Sequence, residues 1–221
     1  GFPVELVADA AQEEELSIDR SAFDIAMEGQ RARARASWKG FAETVAQPVH
    51  RALAKDFPVS EFVGYEQLKT RARILAILKD GVRTDEVLEG ERAEVLLDRT
   101  PFYAESGGQV GDQGVFESEE LRFEVEDCRA PVLGYHIHLG LVQRGTLVVG
   151  GEVEAIVEEA KRKSTQLNHT ATHLLQSALQ EILGDHVKQA GSLVAQDRLR
   201  FDYTHFSALN SRERTRIEET I

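Results

Sequence analysis

The chain has 221 residues, of which 26 are Lys or Arg and 38 are Asp or Glu, giving a formal net charge of −12. This charge argues against indiscriminate nucleic-acid binding, because affinity for phosphates comes mainly from Lys and Arg. No apolar run approaches the roughly 18 residues needed to cross a bilayer, and a single cysteine excludes an internal disulfide framework. The sequence therefore predicts a globular, cytoplasmic protein with no membrane contact.

Residues 1–57 are predicted to be helical. Asp19 is a candidate N-cap for a helix that Gly40 ends, and a second, short helix is expected to follow Pro48 and to end before Phe57. The first helix carries a cluster of basic residues, which is either a solvated face or a local stripe for RNA. The cluster consists of Arg31, Arg33, Arg35 and Lys39.

Residues 58–157 have a short, alternating apolar pattern in which turn residues recur about every 8–12 positions. Asp80-Gly81 and Gly150-Gly151 are typical turn sequences. Several strands without long helices between them predict a small antiparallel β-barrel or sandwich. The predicted strands are Arg71–Leu78, Ala93–Leu97, Gly114–Phe116, Leu121–Glu126, Gly134–Leu141 and Gly151–Val157.

Residues 158–221 begin with the strongest helical pattern of the chain, Glu158–Leu183, which Gly184 is predicted to end. Two strands, Val187–Val194 and Leu199–Tyr203, and a final helix capped by Asn210 or Ser211 are expected to follow. The fold class is therefore α+β. Three domains are predicted: N-terminal helices (1–57), a small antiparallel barrel (58–157) and an α+β domain of helix plus β-hairpin (158–221).

His169 and His173 stand four residues apart on the predicted long helix. This spacing puts their Cβ atoms roughly 6 Å apart, which suits two imidazoles on one zinc ion. The apolar residues fall on the opposite face, so neither histidine is expected in the core; a solvated surface pair is the alternative. A metalloprotease is excluded, because Thr170 stands where that motif needs a glutamate. The apolar face consists of Leu167, Ala171, Leu174, Leu175, Ala178, Leu179 and Ile182.

Three further residue groups bear on a possible site. His136 and His138 share one face of a predicted strand and would either complete a metal site or lie on the surface. Cys128 is predicted to be a small buried apolar group. The last group is a second basic cluster, interpreted as a solvated helix face or an RNA-binding stripe: Lys161, Arg162 and Lys163.

The segment Asn168–Leu175, NHTATHLL, resembles the zinc-binding signature of the editing domain in the alanyl-tRNA synthetase family. The other matching segments occur in the family's order, which is far more specific than the two histidines alone. The chain is thus identified as a member, and as an internal piece covering the region after the aminoacylation core and most of the editing domain. These segments are Gly1–Pro3, Gln30–Ala34, Thr100–Asp112, His186–Val194 and Arg198–His205.

The resemblance implies an enzyme that attaches alanine to its tRNA and hydrolyses serine or glycine attached in error. A second, hydrolytic site is needed because binding alone separates such similar amino acids by only a few kcal/mol. ATP and magnesium would belong to the aminoacylation core, which is expected to lie before Gly1, so this chain should not aminoacylate. The implied partner is the acylated 3′ end of alanine tRNA, with self-association through parts of the enzyme outside this chain.

The resemblance also implies roles for single residues. His169 and His173 match the first two zinc ligands, and the family takes the others from a Cys-x-x-x-His that this chain lacks, so zinc should be held weakly. Gln189 matches a catalytic-pocket glutamine; being neutral, it would hydrogen-bond substrate or water rather than act as a base. The residues expected to contact substrate, with tight-turn or plain helix roles as alternatives, are Gly107, Gly108, Gln109, Thr170 and Thr172.

A bound water is the expected nucleophile, because the sequence presents no Ser-His-Asp arrangement. Two other functions remain open at this point. One is a non-catalytic fragment that binds tRNA or has a structural role. The other is a free-standing editing factor, although the helical segment around Gln30–Arg33 favours a full synthetase.

Overall fold

The computed structural model describes residues 47–221. Within this range the chain is α+β, with three helices and mostly antiparallel strands, as expected. The predicted helix between Asp19 and Gly40, and the basic cluster at Arg31–Lys39, lie outside the described residues.

Six strands close into an antiparallel barrel, which confirms the predicted architecture. The barrel strands are β2 (Lys69–Lys79), β5 (Arg92–Leu97), β7 (Gly114–Glu117), β8 (Arg122–Val132), β9 (Tyr135–Arg144) and β11 (Glu152–Val157). They follow the order β11-β7-β8-β9-β5-β2, and β11 pairs with β2 to close the ring. Closure removes the exposed edges that an open sheet would present.

Strands β8 and β9 form a hairpin that runs well beyond the predicted segments. Its register shifts at three places, and such bulges break the strict alternation by which a strand is recognised in sequence. The remaining short strands of this region were not predicted. They are β1 (Glu61–Phe62), β3 (Val82–Thr84), β4 (Glu86–Leu88), β6 (Arg99–Thr100) and β10 (Thr146–Val148).

The barrel interior is a continuous apolar core. Phe102, Phe116 and Phe123 are among its largest fully buried side chains. Cys128 belongs to the same core, as predicted, and its burial raises the pKa of the thiol well above the ordinary value. This cysteine is therefore a structural group rather than a reactive one.

Helix α1 (Pro48–Asp56), predicted from the sequence, packs on the outside of the barrel. Leu53 is buried against β2 and β5. The hydroxyl of Tyr135 donates to the carbonyl oxygens of Ala54 and Phe57, at 3.0 and 2.9 Å. The helix is thus joined to the barrel by both apolar and polar contacts, and the proposed boundary after residue 57 stays a prediction.

Residues 159–221 form helix α2 (Glu159–Leu183), strands β12 (Gln189–Val194) and β13 (Leu199–Tyr203), and helix α3 (Ser211–Thr220). This matches the predicted order of helix, hairpin and helix. Gly184 ends α2 with φ at +111°, a conformation that favours glycine. Asn210 caps α3 in a reciprocal capping box with Glu213.

The predicted apolar face of α2 is wrong at two positions. Leu167 and Leu174 are 64% and 49% exposed. Apolar packing is confined to the second half of the helix, where Ala178 and Leu179 contact the hairpin and α3. The first half buries polar residues instead, among them Arg162. The first half of α2 packs on the barrel and the second half on the hairpin and α3, so no single apolar stripe runs along the whole helix.

Among residues 47–221 there is no helix both long enough and apolar enough to span a bilayer.

Candidate functional site

A buried ion pair fixes α2 on the barrel. The Arg162 Nε lies 2.9 and 3.0 Å from the two carboxylate oxygens of Asp112, and both side chains are under 10% exposed. The guanidinium also donates to the carbonyl oxygens of Gly64 (2.7 Å) and Pro101 (2.8 Å). The expectation that the basic cluster at 161–163 is solvated is therefore wrong for Arg162. Arg162 holds α2 against the segment Thr100–Asp112, which contains Gly107 and Gly108 and is called the glycine-rich segment below.

That segment makes a tight turn between Ser106 and Gln109, whose backbones exchange hydrogen bonds of 3.0 and 3.1 Å. Gly107 and Gly108 have φ of +60° and +85°, a region that glycine adopts without strain. A Cβ on Gly108 would lie 2.4 Å from the Ser192 Oγ and 2.5 Å from its carbonyl oxygen. Glycine is thus required here by both φ and the close approach of β12.

The turn is also bonded to β12 through its backbone. Val194 N donates to Gly108 O at 2.7 Å, and Val110 N donates to Val194 O at 3.0 Å. The Gln189 amide donates to the Ser192 hydroxyl (3.0 Å), which donates to Gly107 O (3.3 Å). The structure therefore brings predicted site residues of the glycine-rich turn and the hairpin together.

On α2, the histidine pair stands beside the same turn. His169 and His173 are both exposed, which confirms that they point away from the core. Their Nε2 atoms are 3.1 Å apart. The His169 Nδ1 lies 2.6 Å from the Oε1 of Gln109, a residue that is 8% exposed. Because an amide oxygen only accepts, Nδ1 donates and the Nε2 of the neutral ring keeps its lone pair.

This geometry fits a metal ion at the Nε2 atoms. Two ligands of a tetrahedral zinc at about 2.0–2.1 Å are roughly 3.3 Å from each other, close to the 3.1 Å observed. Histidine ligands usually donate their second nitrogen to an oxygen that fixes the ring, as His169 does to Gln109. Within the described part of the chain, however, no group of three or more His, Cys, Asp or Glu side chains could hold a metal. His169 and His173 are thus two candidate ligands, and the described residues add no third.

The two candidate threonines differ in their surroundings. Thr170 is exposed, and its hydroxyl donates to Gln166 O at 3.1 Å. Thr172 is buried, and its hydroxyl donates to Asn168 O at 2.8 Å. Thr172 therefore has the environment of a helix residue, whereas Thr170 lies at the surface next to His169.

Neither His136 nor His138 completes the candidate metal site, since no group of three possible ligands occurs among residues 47–221. His138 is fully buried inside the barrel, where Nδ1 donates to Val95 O (3.0 Å) and Nε2 accepts from the Thr100 hydroxyl (2.8 Å). Burial lowers the pKa of His138 to about 3. His136 stacks on Phe62 with ring centroids 5.3 Å apart. The hypothesis is wrong for His138 because both of its nitrogens are already used.

Sequence reasoning missed Ser192 and the Arg162–Asp112 pair. Asp112 ends the glycine-rich segment that drew attention to the turn, so its place in the motif could have marked it. Nothing in the sequence pairs it with a residue 50 positions later. Ser192 lies within the hairpin segment, and only the close approach of Gly108 gives it a role at the turn.

Comparison with known proteins shows the family of this chain. A family profile described as tRNA synthetases class II (A) matches residues 1–161. The chain therefore belongs to the class II (A) tRNA synthetases.

The individual relatives of the chain include several alanine–tRNA ligases. Over all of its residues it is 48% identical to an alanine–tRNA ligase of Geobacillus kaustophilus, covering 25% of that protein. Alanine–tRNA ligases of Anaeromyxobacter sp. and Desulforamulus reducens are each 45% identical across the whole chain, which covers 24% and 25% of them. The chain spans about a quarter of the length of these relatives.

Proposed function

We propose that this chain is part of an alanine–tRNA ligase and contributes its proofreading step, the hydrolysis of serine or glycine esterified in error to alanine tRNA. One observation carries the proposal: two exposed histidine Nε2 atoms lie 3.1 Å apart. Whole-length similarity to alanine–tRNA ligases supports the parent enzyme. The resemblance of Asn168–Leu175 to the zinc signature of the editing domain supports the hydrolytic role.

The reaction is the cleavage of an ester by water. Zinc, when bound at the histidine pair, supplies either activation of a water or an anchor for the substrate's amino group. Among residues 47–221 no serine hydroxyl is hydrogen-bonded to a histidine. Water as the nucleophile therefore fits the described residues better than a covalent route.

The chain's own residues hold and orient the reacting groups. Gln109 fixes the His169 ring so that Nε2 faces His173. Gln189, an exposed residue of β12, offers an amide to the substrate or to water but cannot accept a proton near pH 7. Thr170 is the threonine whose hydroxyl is at the surface beside His169, so recognition of a serine side chain is assigned to it.

The deciding experiment measures deacylation of alanine tRNA charged with serine. We expect a chain extended past residue 221 to hydrolyse this ester with zinc present, and the 221-residue chain to do so weakly, because two imidazoles hold zinc poorly. Gln176→Ala, on the same helix, is the control that should retain activity. Binding of the tRNA without hydrolysis by the extended chain would instead favour a non-catalytic tRNA-binding role.

A further inference from the structure

A cleft of about 400 Å³ opens next to His169, between α2 and the barrel. Its helix side is formed by Gln166, His169 and Thr170. Its barrel side carries three aromatic residues, Phe62, Tyr65 and Tyr103. The volume lies in the range usual for small-ligand sites, and aromatic walls with a few polar groups are typical of them.

Tyr65 is the unusual residue of this cleft. It is 87% exposed, although a large aromatic side chain gains by burial. Its ring stands edge-on against Phe62, with centroids 5.0 Å apart, and Phe62 in turn stacks on His136. The tyrosine is thus supported from one side. It also borders a second cleft of about 300 Å³, so an aromatic surface is presented between the two.

We propose that this cleft binds the terminal adenosine of the acylated tRNA, with its adenine stacked on Tyr65 and its ribose beside Gln166 and His169. The inference rests on the proposed function. If the ester is cut at the histidine pair, the ribose that carries it lies there too. The base is attached to that same ribose, so its distance from His169 is at most about the length of one nucleoside.

The contacts of the cleft suit such an occupant. A base offers a flat π surface, and proteins bind unpaired bases by stacking them on Phe, Tyr, Trp or His. The Gln166 side chain can hydrogen-bond ribose hydroxyls as donor and acceptor. Stacking does not depend on positive charge. A chain with a net charge of −12 can therefore bind the acceptor end here without a basic surface.

The first test measures deacylation kinetics of serine-charged alanine tRNA by the chain extended past residue 221. Tyr65→Ala should raise KM about five- to a hundredfold, as expected for the loss of one stacked base, while kcat changes less than about twofold. Tyr65→Phe should restore KM. Phe206→Ala is the matched control, because Phe206 is also exposed (75%) but lies after β13, outside the cleft. A KM for Tyr65→Ala equal to that of the control would overturn the proposal.

The second test titrates adenosine 5′-monophosphate into the 221-residue chain and follows backbone amide signals by NMR. We expect shifts at residues 62–65 and 166–170, and their loss in Tyr65→Ala. Shifts elsewhere, or none, would contradict the cleft. If the extended chain does not deacylate the tRNA, the proposed function fails, but the titration still tests nucleotide binding in the cleft. If Tyr65→Ala leaves the deacylation kinetics unchanged, the proposed function stands and the cleft proposal fails.

Discussion

The barrel and helix α2 each carry two closely spaced histidines, and the two regions use them in opposite ways. Inside the barrel, His138 is fully buried and both ring nitrogens are bonded, to Val95 and Thr100. On α2, the His169 Nδ1 donates to the Gln109 side chain, while its Nε2 is within hydrogen-bond distance of another imidazole, the Nε2 of His173 at 3.1 Å. The use of the second nitrogen, rather than the spacing of the histidines, separates a structural imidazole from a candidate metal ligand.

The two regions are nevertheless joined by a buried ion pair. Arg162 of α2 bonds Asp112, which also accepts a hydrogen bond of 2.6 Å from the Tyr103 backbone. The same loop continues into Gln109, the partner of His169. The barrel thus supplies the rigid support for a histidine on the helix, as catalytic and metal sites require.

The largest expected effect comes from breaking this coupling. Arg162→Ala leaves a buried carboxylate and two carbonyl oxygens without their partner, so it should lower the free energy of unfolding by about 3–5 kcal/mol. Urea denaturation followed by circular dichroism measures the change. Arg198→Ala is the control: its pair with Asp197 is 67% exposed on the arginine side, and its loss should cost under about 1 kcal/mol. Similar midpoints for the two variants would show that the barrel and helix are held by other contacts.

The barrel histidine predicts an acid sensitivity. The folded pKa of His138 is about 3, below its ordinary 6.5, because burial disfavours the charged ring. Unfolded chains therefore bind a proton that the folded barrel does not, and stability should fall as pH drops from about 6.5 to 3. The loss attributable to this residue is about 3–5 kcal/mol at pH 3.

Denaturation measured across that pH range, with His138→Gln alongside, tests this. The variant should lose less stability on acidification than the parent chain. Parallel pH profiles would mean that His138 is not the group responsible.

A smaller effect is expected at the link between the turn and the helix. Gln109→Ala removes the acceptor that orients His169, and loss of such a partner typically weakens metal affinity about 10- to 100-fold. Competition with a chromogenic zinc chelator, on the chain extended past residue 221, gives the affinity. Gln109→Glu retains an acceptor and should bind more tightly than the alanine variant. Unchanged affinity for Gln109→Ala would remove this residue from the metal site.

The sequence predicted the barrel, the long helix, the hairpin and the final helix, because each has strong local periodicity or caps. The exposure of His169 and His173 followed from the same helical spacing. The exposure of Leu167 and the burial of Arg162 could not be predicted, since they depend on α2 leaving the hairpin to pack on the barrel. The contact between Gln109 and His169 joins residues 60 positions apart, and only the folded chain shows it.

We propose that the histidine pair serves hydrolysis rather than folding or amino-acid activation. The decisive measurement uses His169→Ala in the full-length enzyme, with deacylation of serine-charged tRNA and activation of alanine measured on the same preparation. We expect a strong loss of deacylation with alanine activation unchanged. Equal loss of both activities, or full deacylation by the variant, would show that the pair has another role.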